Sequence, residues 1–276
     1  MSDHPSLQPY ADAWTQSIEA ISELVKPLAE AEWNRATDCP GWSVRDVVSH
    51  VIGIECELLG DPRPIHTLPR DIYHVVDETS RHMEVQVDVR RHHTGPEMTG
   101  ELEYTIIRRS RQLRNEKRKP DAEVRHVLPG LPPVTLERQL LLRAFDVWVH
   151  EQDIRRALRQ PGNLDSAAAL ITRDVLVDGL PRVVAKKAGA PADSAVVIDV
   201  SGPVEFMRTV RVDKDGRGSV NGSPSLGPAA TLSMGWETYV RLACGRARAE
   251  AVAGDVKAEG DAELATAILN AFAVTP

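Results

Sequence analysis

The sequence predicts an α-helical bundle followed by a small α+β domain, and three observations carry that expectation. Up to about residue 162, apolar side chains recur at the three-to-four spacing of amphipathic helices. From residue 195 that period gives way to β-branched runs with glycine stops. The final stretch is helical again, so strands precede helices instead of alternating with them, the grammar of an α+β layer.

Taken in order, residues 8–30 place Ala11, Trp14, Ile18, Ile21, Leu24 and Val25 on one side of a first helix. Cys39-Pro40-Gly41-Trp42-Ser43 makes a turn, and Ser43 with Asp46 forms a capping-box-like start to a helix reaching about Leu59. Its stripe is Val44, Val47, Val48, Val51 and Ile54, and DPRP at 61–64 stops it. Two further amphipathic helices are expected over 71–90 and 97–118, separated by HHTGP. After LPGLPP at 128–133, Thr135 caps a helix that includes LLLRAFDVWVHEQDIRRAL at 140–158 and ends before Pro161-Gly162. This portion reads as a bundle of four long helices. Next comes a helix over about 166–187, with PGNLD and GAPADS as candidate boundaries on either side.

Beyond it, AVVIDVSG and EFMRTVRVD read as strands and DKDGRGS as the turn cluster after them. LSMGWETYVRLACGRAR and DAELATAILNAFA read as helices, with AEAVAG as a short extended piece between. The expected division is a bundle over 1–164, a connecting helix and linker over 165–194, and a small α+β domain over 195–276.

Composition narrows the function. A chain of 276 residues buries a substantial core without staples. Cys39, Cys56 and Cys244 are widely spaced with no C-x-x-C pair, which argues against a disulfide framework or a cysteine zinc module. The formal net charge of -7 argues against general nucleic-acid binding, and the basic run RRSRQLRNEKRK at 108–119 reads as the solvated side of a helix. No apolar run approaches the roughly 18 residues of a membrane span. The start, MSDHPSLQPYADAW, lacks the pattern of a secretory leader, so a cytoplasmic protein without membrane attachment is expected.

The chemistry concentrates on the helix at 140–158. Asp146 and His150 lie one turn apart on a helix with a broad apolar face, and an i,i+4 pair offers two ligands from one rigid element. His50 borders the inward stripe of the second helix, flanked by Val47 and Ile54, where facing helices of a bundle converge. Two imidazoles and a carboxylate would leave a coordination position open, as in catalytic zinc sites. The same residues also suit a hydrogen-bonded polar pair beside a satisfied core histidine. Asp153, one turn beyond His150, either accepts from its second ring nitrogen or pairs with Arg155 or Arg156. Trp42 and Trp148 read as packing residues, and His92 and His93 as solvated loop residues.

CPGWSVRDVVSHVIG, DVWVHEQDIRRAL and LACGRARAEAVAGDVKAEGDAELATAILNAFAVTP, in this order and at these separations, resemble the mycothiol-dependent maleylpyruvate isomerase family. The resemblance covers nearly the whole chain. It implies a DinB-like metal-binding four-helix bundle and a C-terminal sterol-carrier-like domain. It also implies a divalent metal, expected to be zinc, held by His50, Asp146 and His150, with Arg246 of the LACGR motif as the matching active-site arginine. One departure stands out: the characterised pattern is similar to E-x-x-x-H, whereas this chain has D-x-x-x-H. The implied reaction uses mycothiol, a small thiol of actinobacteria, as cosubstrate toward a small electrophile, by isomerisation or S-transfer. The broader thiol-transferase class is favoured over maleylpyruvate isomerase proper; that isomerase, a non-catalytic small-molecule-binding protein and a metal-dependent hydrolase are the rivals, and the sequence leaves the electrophile and the oligomeric state open.

Overall fold

A computed structural model describes residues 5–221 and 227–275. The opening residues 1–4, part of the stretch read above for a leader, lie outside that range. Two compact units divide the chain, 1–162 and 163–276.

In the first unit the helices are α1 (Gln8–Val25), the single turn α2 (Glu30–Trp33), α3 (Val44–Leu58), α4 (Glu78–Asp88), α5 (Gly95–Arg114) and α6 (Leu136–Leu158). A two-residue antiparallel ribbon, β1 (Glu123–Val124) with β2 (Val134–Thr135), leads into α6. Helix α1 packs on α5 and α6, and α3 packs on the same two, so the four long helices form a closed ring. The expected stripes face inward: Trp14, Ile18, Ile21 and Val25 are buried on α1, and Val44, Val47, Val48, Val51 and Ile54 on α3. Burying each such aliphatic side chain contributes about 1.5–3 kcal/mol.

The caps follow local chemistry. Ser43 accepts from the Asp46 amide while the Asp46 carboxylate accepts from the Ser43 amide at 2.9 Å, the reciprocal box read from sequence. Thr135 caps α6 as expected. The helix expected over 71–90 is shorter, because Asp77 caps it by accepting from the Ser80 amide at 2.7 Å. The chain from 61 to 77 stays irregular, as Pro62, Pro64 and Pro69 withhold amide donors. The basic run at 108–119 is not uniformly solvated either: Arg109 is buried against Glu55.

The second unit begins with α7 (Ala167–Pro181), which Ser166 caps and a π-helical turn, Arg182–Lys187, extends. The sheet contains β3 (Ser194–Ser201), β4 (Phe206–Val212), β5 (Gly218–Asn221), β6 (Ala230–Gly235) and β7 (Val256–Gly260) in the order β5-β4-β3-β6-β7. The central pair β3–β6 is parallel and its neighbours are antiparallel. Helix α7 packs on β4 and β5, α8 (Trp236–Ala243) on β3 and β6, and α9 (Ala262–Asn270) on β6 and β7.

Two expectations need correcting here. Leu232–Gly235, read as the start of a helix, completes strand β6, whose burial alternates residue by residue as in a sheet covered on one face. AEAVAG, read as extended, is a 3-10 turn, and the extended piece is β7 just after it. Short alternating stretches rich in Ala and Gly do not separate helix from strand by period alone.

Candidate metal centre

Helices α3 and α6 bring His50, Asp146 and His150 together. One potential ligand atom from each lies within 4.8 Å of the others. His50 Nε2 is 3.5 Å from Asp146 Oδ2, and His150 Nε2 is 3.7 Å from Asp146 Oδ1. The two imidazoles meet edge to face with centroids 4.7 Å apart. The two imidazole–carboxylate separations are a few tenths of an ångström wider than the roughly 3.3 Å edge of a tetrahedron with bonds near 2.0 Å, so the cluster would close slightly around an ion.

Both histidines are buried, and both ring nitrogens of His50 lack a hydrogen-bond partner. The 3.5 Å approach of His50 Nε2 to Asp146 Oδ2 lies at the outer limit of a hydrogen bond, so the buried imidazole is poorly satisfied, which costs about 1–3 kcal/mol. The donor set of two imidazoles and one carboxylate suits a divalent ion such as zinc, and the residues fit one.

His150 is fixed differently. Its Nδ1 lies 3.2 Å from Asp153 Oδ2, and Arg156 donates to Asp153 Oδ1 at 2.7 Å. The two partners considered for Asp153 therefore hold it together. A proton on Nδ1 leaves the Nε2 lone pair directed toward Asp146, an assignment made from the hydrogen bond.

Asp146 is one-third exposed and accepts from Arg143 Nη1 at 2.6 Å through Oδ2. The other edge of Arg143 donates to Glu55 Oε1 from Nε at 3.0 Å and from Nη2 at 2.7 Å. Glu55, fully buried on α3, also accepts from Trp14 Nε1 of α1 at 2.8 Å and Arg109 Nε of α5 at 3.0 Å. One carboxylate thus draws donors from the other three helices of the ring.

The CPGW turn presents Trp42 to the same centre. Its ring lies 5.1 Å from that of His50 and 6.2 Å from that of His150. The indole Nε1 donates to the buried Glu84 at 2.9 Å, and Glu84 also holds His74 at 2.8 Å and Arg91 at 2.6 Å. Gly41 adopts φ 78°, and a Cβ there would stand 2.2 Å from His74 Nδ1, so the turn requires glycine. Trp42 therefore walls the histidine pair in addition to packing, whereas Trp148 is fully buried core.

Burial pushes the His50 imidazole down to about 4, outweighing the nearby Asp146 charge. For Asp146 burial acts the other way, and the Arg143 guanidinium, followed by the two imidazoles, overrides it and holds the carboxyl well below its ordinary range. Because the folded His50 value lies below the 6.5 of a free imidazole, the unfolded chain takes up this proton first. Protonation of His50 costs the folded state nothing above about pH 6.5, and as pH falls toward 4 it lowers stability by about 3 kcal/mol at 1.36 kcal/mol per pH unit. Urea unfolding of chelator-treated protein at pH 7, 5.5 and 4 should show that loss, and His50→Leu should remove much of it. Equal pH slopes in the two proteins would sink the account.

Arg246, the expected active-site arginine, belongs to the second unit. It follows α8 in a turn where Gly245 has φ 66°; its amide donates to the Arg241 carbonyl at 2.7 Å and its Nη1 to the Cys244 carbonyl at 2.8 Å. Glu55, Arg143 and Glu84 were not singled out from sequence. Charged residues inside the apolar stripes of α3 and α6 were the signal for the first two.

The crystal structure of a mycothiol-dependent maleylpyruvate isomerase superposes with a TM-score of 0.59 at 15% identity, covering 94% of this chain and 95% of that one. A histidine-to-alanine mutant of such an isomerase gives 0.59 at 14% identity over the same shares. This likeness is one of fold. Sterol carrier protein 2 from Yarrowia lipolytica aligns over 41% of this chain and 95% of its own at 21% identity, with a TM-score of 0.28. No curated protein matches the chain by sequence. Residues 14–155 match the family model of the mycothiol maleylpyruvate isomerase N-terminal domain, and residues 171–267 match the corresponding C-terminal domain. The chain belongs to the mycothiol maleylpyruvate isomerase family.

Proposed function

We propose that this member of an enzyme family is a metal-dependent thiol isomerase or S-transferase, with mycothiol as the thiol and a small electrophile as its partner. His50, Asp146 and His150 would hold one divalent ion, zinc by the chemistry of the donors. The observation that carries this reading is the buried His50, with no close hydrogen bond on either ring nitrogen, facing a second imidazole and a carboxylate. Such an ion supplies Lewis acidity that lowers the pKa of a thiol, so that thiolate is available at neutral pH.

The chain's own groups do the rest. Burial keeps His50 neutral at pH 7, so one of its ring nitrogens offers a lone pair without losing a proton. Asp153 holds the tautomer of His150, and Trp42 excludes water from one side of the histidine pair. Arg246 would hold a carboxylate of the electrophile, because a guanidinium presents a fork matching two oxygens. The thiolate would add to an activated double bond, allow rotation about the single bond so formed, and leave again. In transfer it would remain attached and the electrophile would release its leaving group or open a ring.

Asp146 gives the direct test. Asp146→Glu should retain the ion and appreciable mycothiol-dependent activity, whereas Asp146→Asn, isosteric but neutral, should lose most of the bound metal. A hydrogen-bonded polar pair without an ion predicts instead a stability loss of roughly 1–3 kcal/mol with no change in metal content. Metal analysis and mycothiol consumption for both variants check it, and unchanged metal in Asp146→Asn would refute the reading. Conversion of the electrophile without net loss of thiol would mark isomerisation, and stoichiometric loss would mark transfer.

A further inference from the structure

The basic run of α5 reads as a solvated face, yet Arg109 within it is buried and lines a cavity of about 190 Å³. That cavity lies where the C-terminal parts of α3 and α5 meet the loop after β1 and the first turn of α6. Glu55 Oε2 accepts from Arg109 Nε at 3.0 Å and Gln112 Oε1 accepts from Nη1, but among the described residues nothing accepts from Nη2. A buried guanidinium on a cavity wall with one nitrogen unused is short of an acceptor.

Two neighbours add donors of the same kind. Arg125, just after β1, lines the cavity with an exposed side chain that forms no ion pair among the described residues. His126 lines it too; burial pushes its imidazole below the ordinary range, and its Nδ1 accepts from the Leu128 amide at 3.0 Å. The neutral ring therefore carries its proton on Nε2, an assignment made from that hydrogen bond, and Nε2 is a donor. Gln139 of α6 donates to the Arg125 carbonyl at 2.9 Å and so fixes the loop that bears both. Arg118 also lines the cavity, but Glu116 takes its fork at 2.9 and 2.6 Å. The carboxylate on the wall, Glu57, is itself held by His82 and Gln86, each at 2.9 Å.

We infer that this recess is a binding site for a small oxyanion, a carboxylate or phosphate group, held by Arg109 Nη2, the Arg125 guanidinium and His126 Nε2. The site goes beyond the metal reading and does not depend on it. Guanidinium N–H groups match the oxygens of carboxylates and phosphates, and a charged acceptor makes such bonds about twice as strong as neutral ones. The volume suits a group of a few heavy atoms and is too small for a nucleotide. The larger cavity of about 520 Å³ beside Leu68 and Ile72 offers no equivalent, because its arginines, Arg70 and Arg81, are both exposed.

Isothermal titration calorimetry of the chelator-treated full chain, with inorganic phosphate and separately with malonate at low ionic strength, tests the inference. Chelation keeps either anion from meeting an ion at the metal centre. Wild type should take up one anion per chain saturably, and Arg125→Ser should weaken that uptake about tenfold, the worth of one charge-assisted hydrogen bond. Arg109→Lys keeps a cation beside Glu55 but withdraws Nη2, and should weaken it as well. Thermal unfolding is measured alongside, and Arg125→Ser, a change at an exposed side chain, decides the matter if Arg109→Lys does not fold. Arg111→Ser removes an exposed cation of the same helix that is not on the wall, and should leave the affinity unchanged. Tighter binding of phosphate would identify a tetrahedral ligand group, and tighter binding of malonate a carboxylate; either supports the recess. No saturable uptake of either anion by wild type, or equal weakening by Arg125→Ser and Arg111→Ser, would overturn it. The metal reading would stand in both cases, since no metal enters the titration.

Discussion

Replacing His150 with alanine is expected to strip the bound ion and, with it, the thiol-dependent activity. Purified wild type should carry about one divalent ion per chain, and the variant far less, since His50 and Asp146 alone leave two ligands where a catalytic zinc site uses three. Turnover should fall by about a hundredfold or more, because Lewis-acid stabilisation is worth several kcal/mol and each 1.36 kcal/mol is tenfold in rate. Folding separates this from simple damage. Asp153 keeps its bond from Arg156 at 2.7 Å, so the chelator-treated variant should unfold in a single cooperative step near the chelator-treated wild type. His50→Leu makes the complementary case: it should also lose the ion, yet its metal-free form should gain about 1–3 kcal/mol, since an unsatisfied buried imidazole gives way to an apolar side chain. Equal metal content in wild type and His150→Ala would sink the assignment.

The largest effect on stability should come from Glu55→Ala. Removing that carboxylate leaves Arg109 and Arg143 buried without the anion they share, and breaking a buried pair by deleting one partner costs about 3–5 kcal/mol. For a unit of this size that corresponds to a drop in Tm on the order of 10 °C. Glu55→Gln, which keeps an oxygen acceptor for Trp14 and an arginine, should fall between. Exposure decides the contrast with Glu103, which pairs with Lys26 at 2.9 Å in solvent. Glu103→Ala should change stability by no more than about 0.5 kcal/mol. Calorimetry of the chelator-treated proteins measures all three, and a loss below about 1 kcal/mol for Glu55→Ala would show that the other helices do not depend on it.

Much of the fold was legible because burial follows period. The stripes of α1 and α3, the Ser43–Asp46 box and the Thr135 cap are local chemistry, and each lies where the sequence puts it. The three candidate ligands were legible for a related reason: polar groups placed on inward faces must meet something. What they meet was not, because a partner on another helix has no fixed sequence distance. Arg109 shows this. Its run of basic neighbours reads as a wet face, and only the arrival of Glu55 from α3 makes burial of that one arginine tolerable. The second unit was less legible where Leu232–Gly235 alternates for too few residues before the helix at Trp236 begins. Glu84, which fixes Trp42 and His74, gave no signal at all from its position in a mostly polar helix.

The ring of helices also has a temporal side. Its first member, α1, packs on its last, α6, and Glu55 completes its set of donors only when Arg143 arrives. On the ribosome, a nascent chain that has emerged through α5 holds Trp14, Glu55 and Arg109 but neither Asp146 nor His150. The apolar faces of α1 and α3 then have no lid, and contacts of such long sequence separation form slowly. Closure of this unit therefore waits for translation of α6, and a chain that stalls before that helix exposes the valine stripe of α3 to chaperones or to other chains.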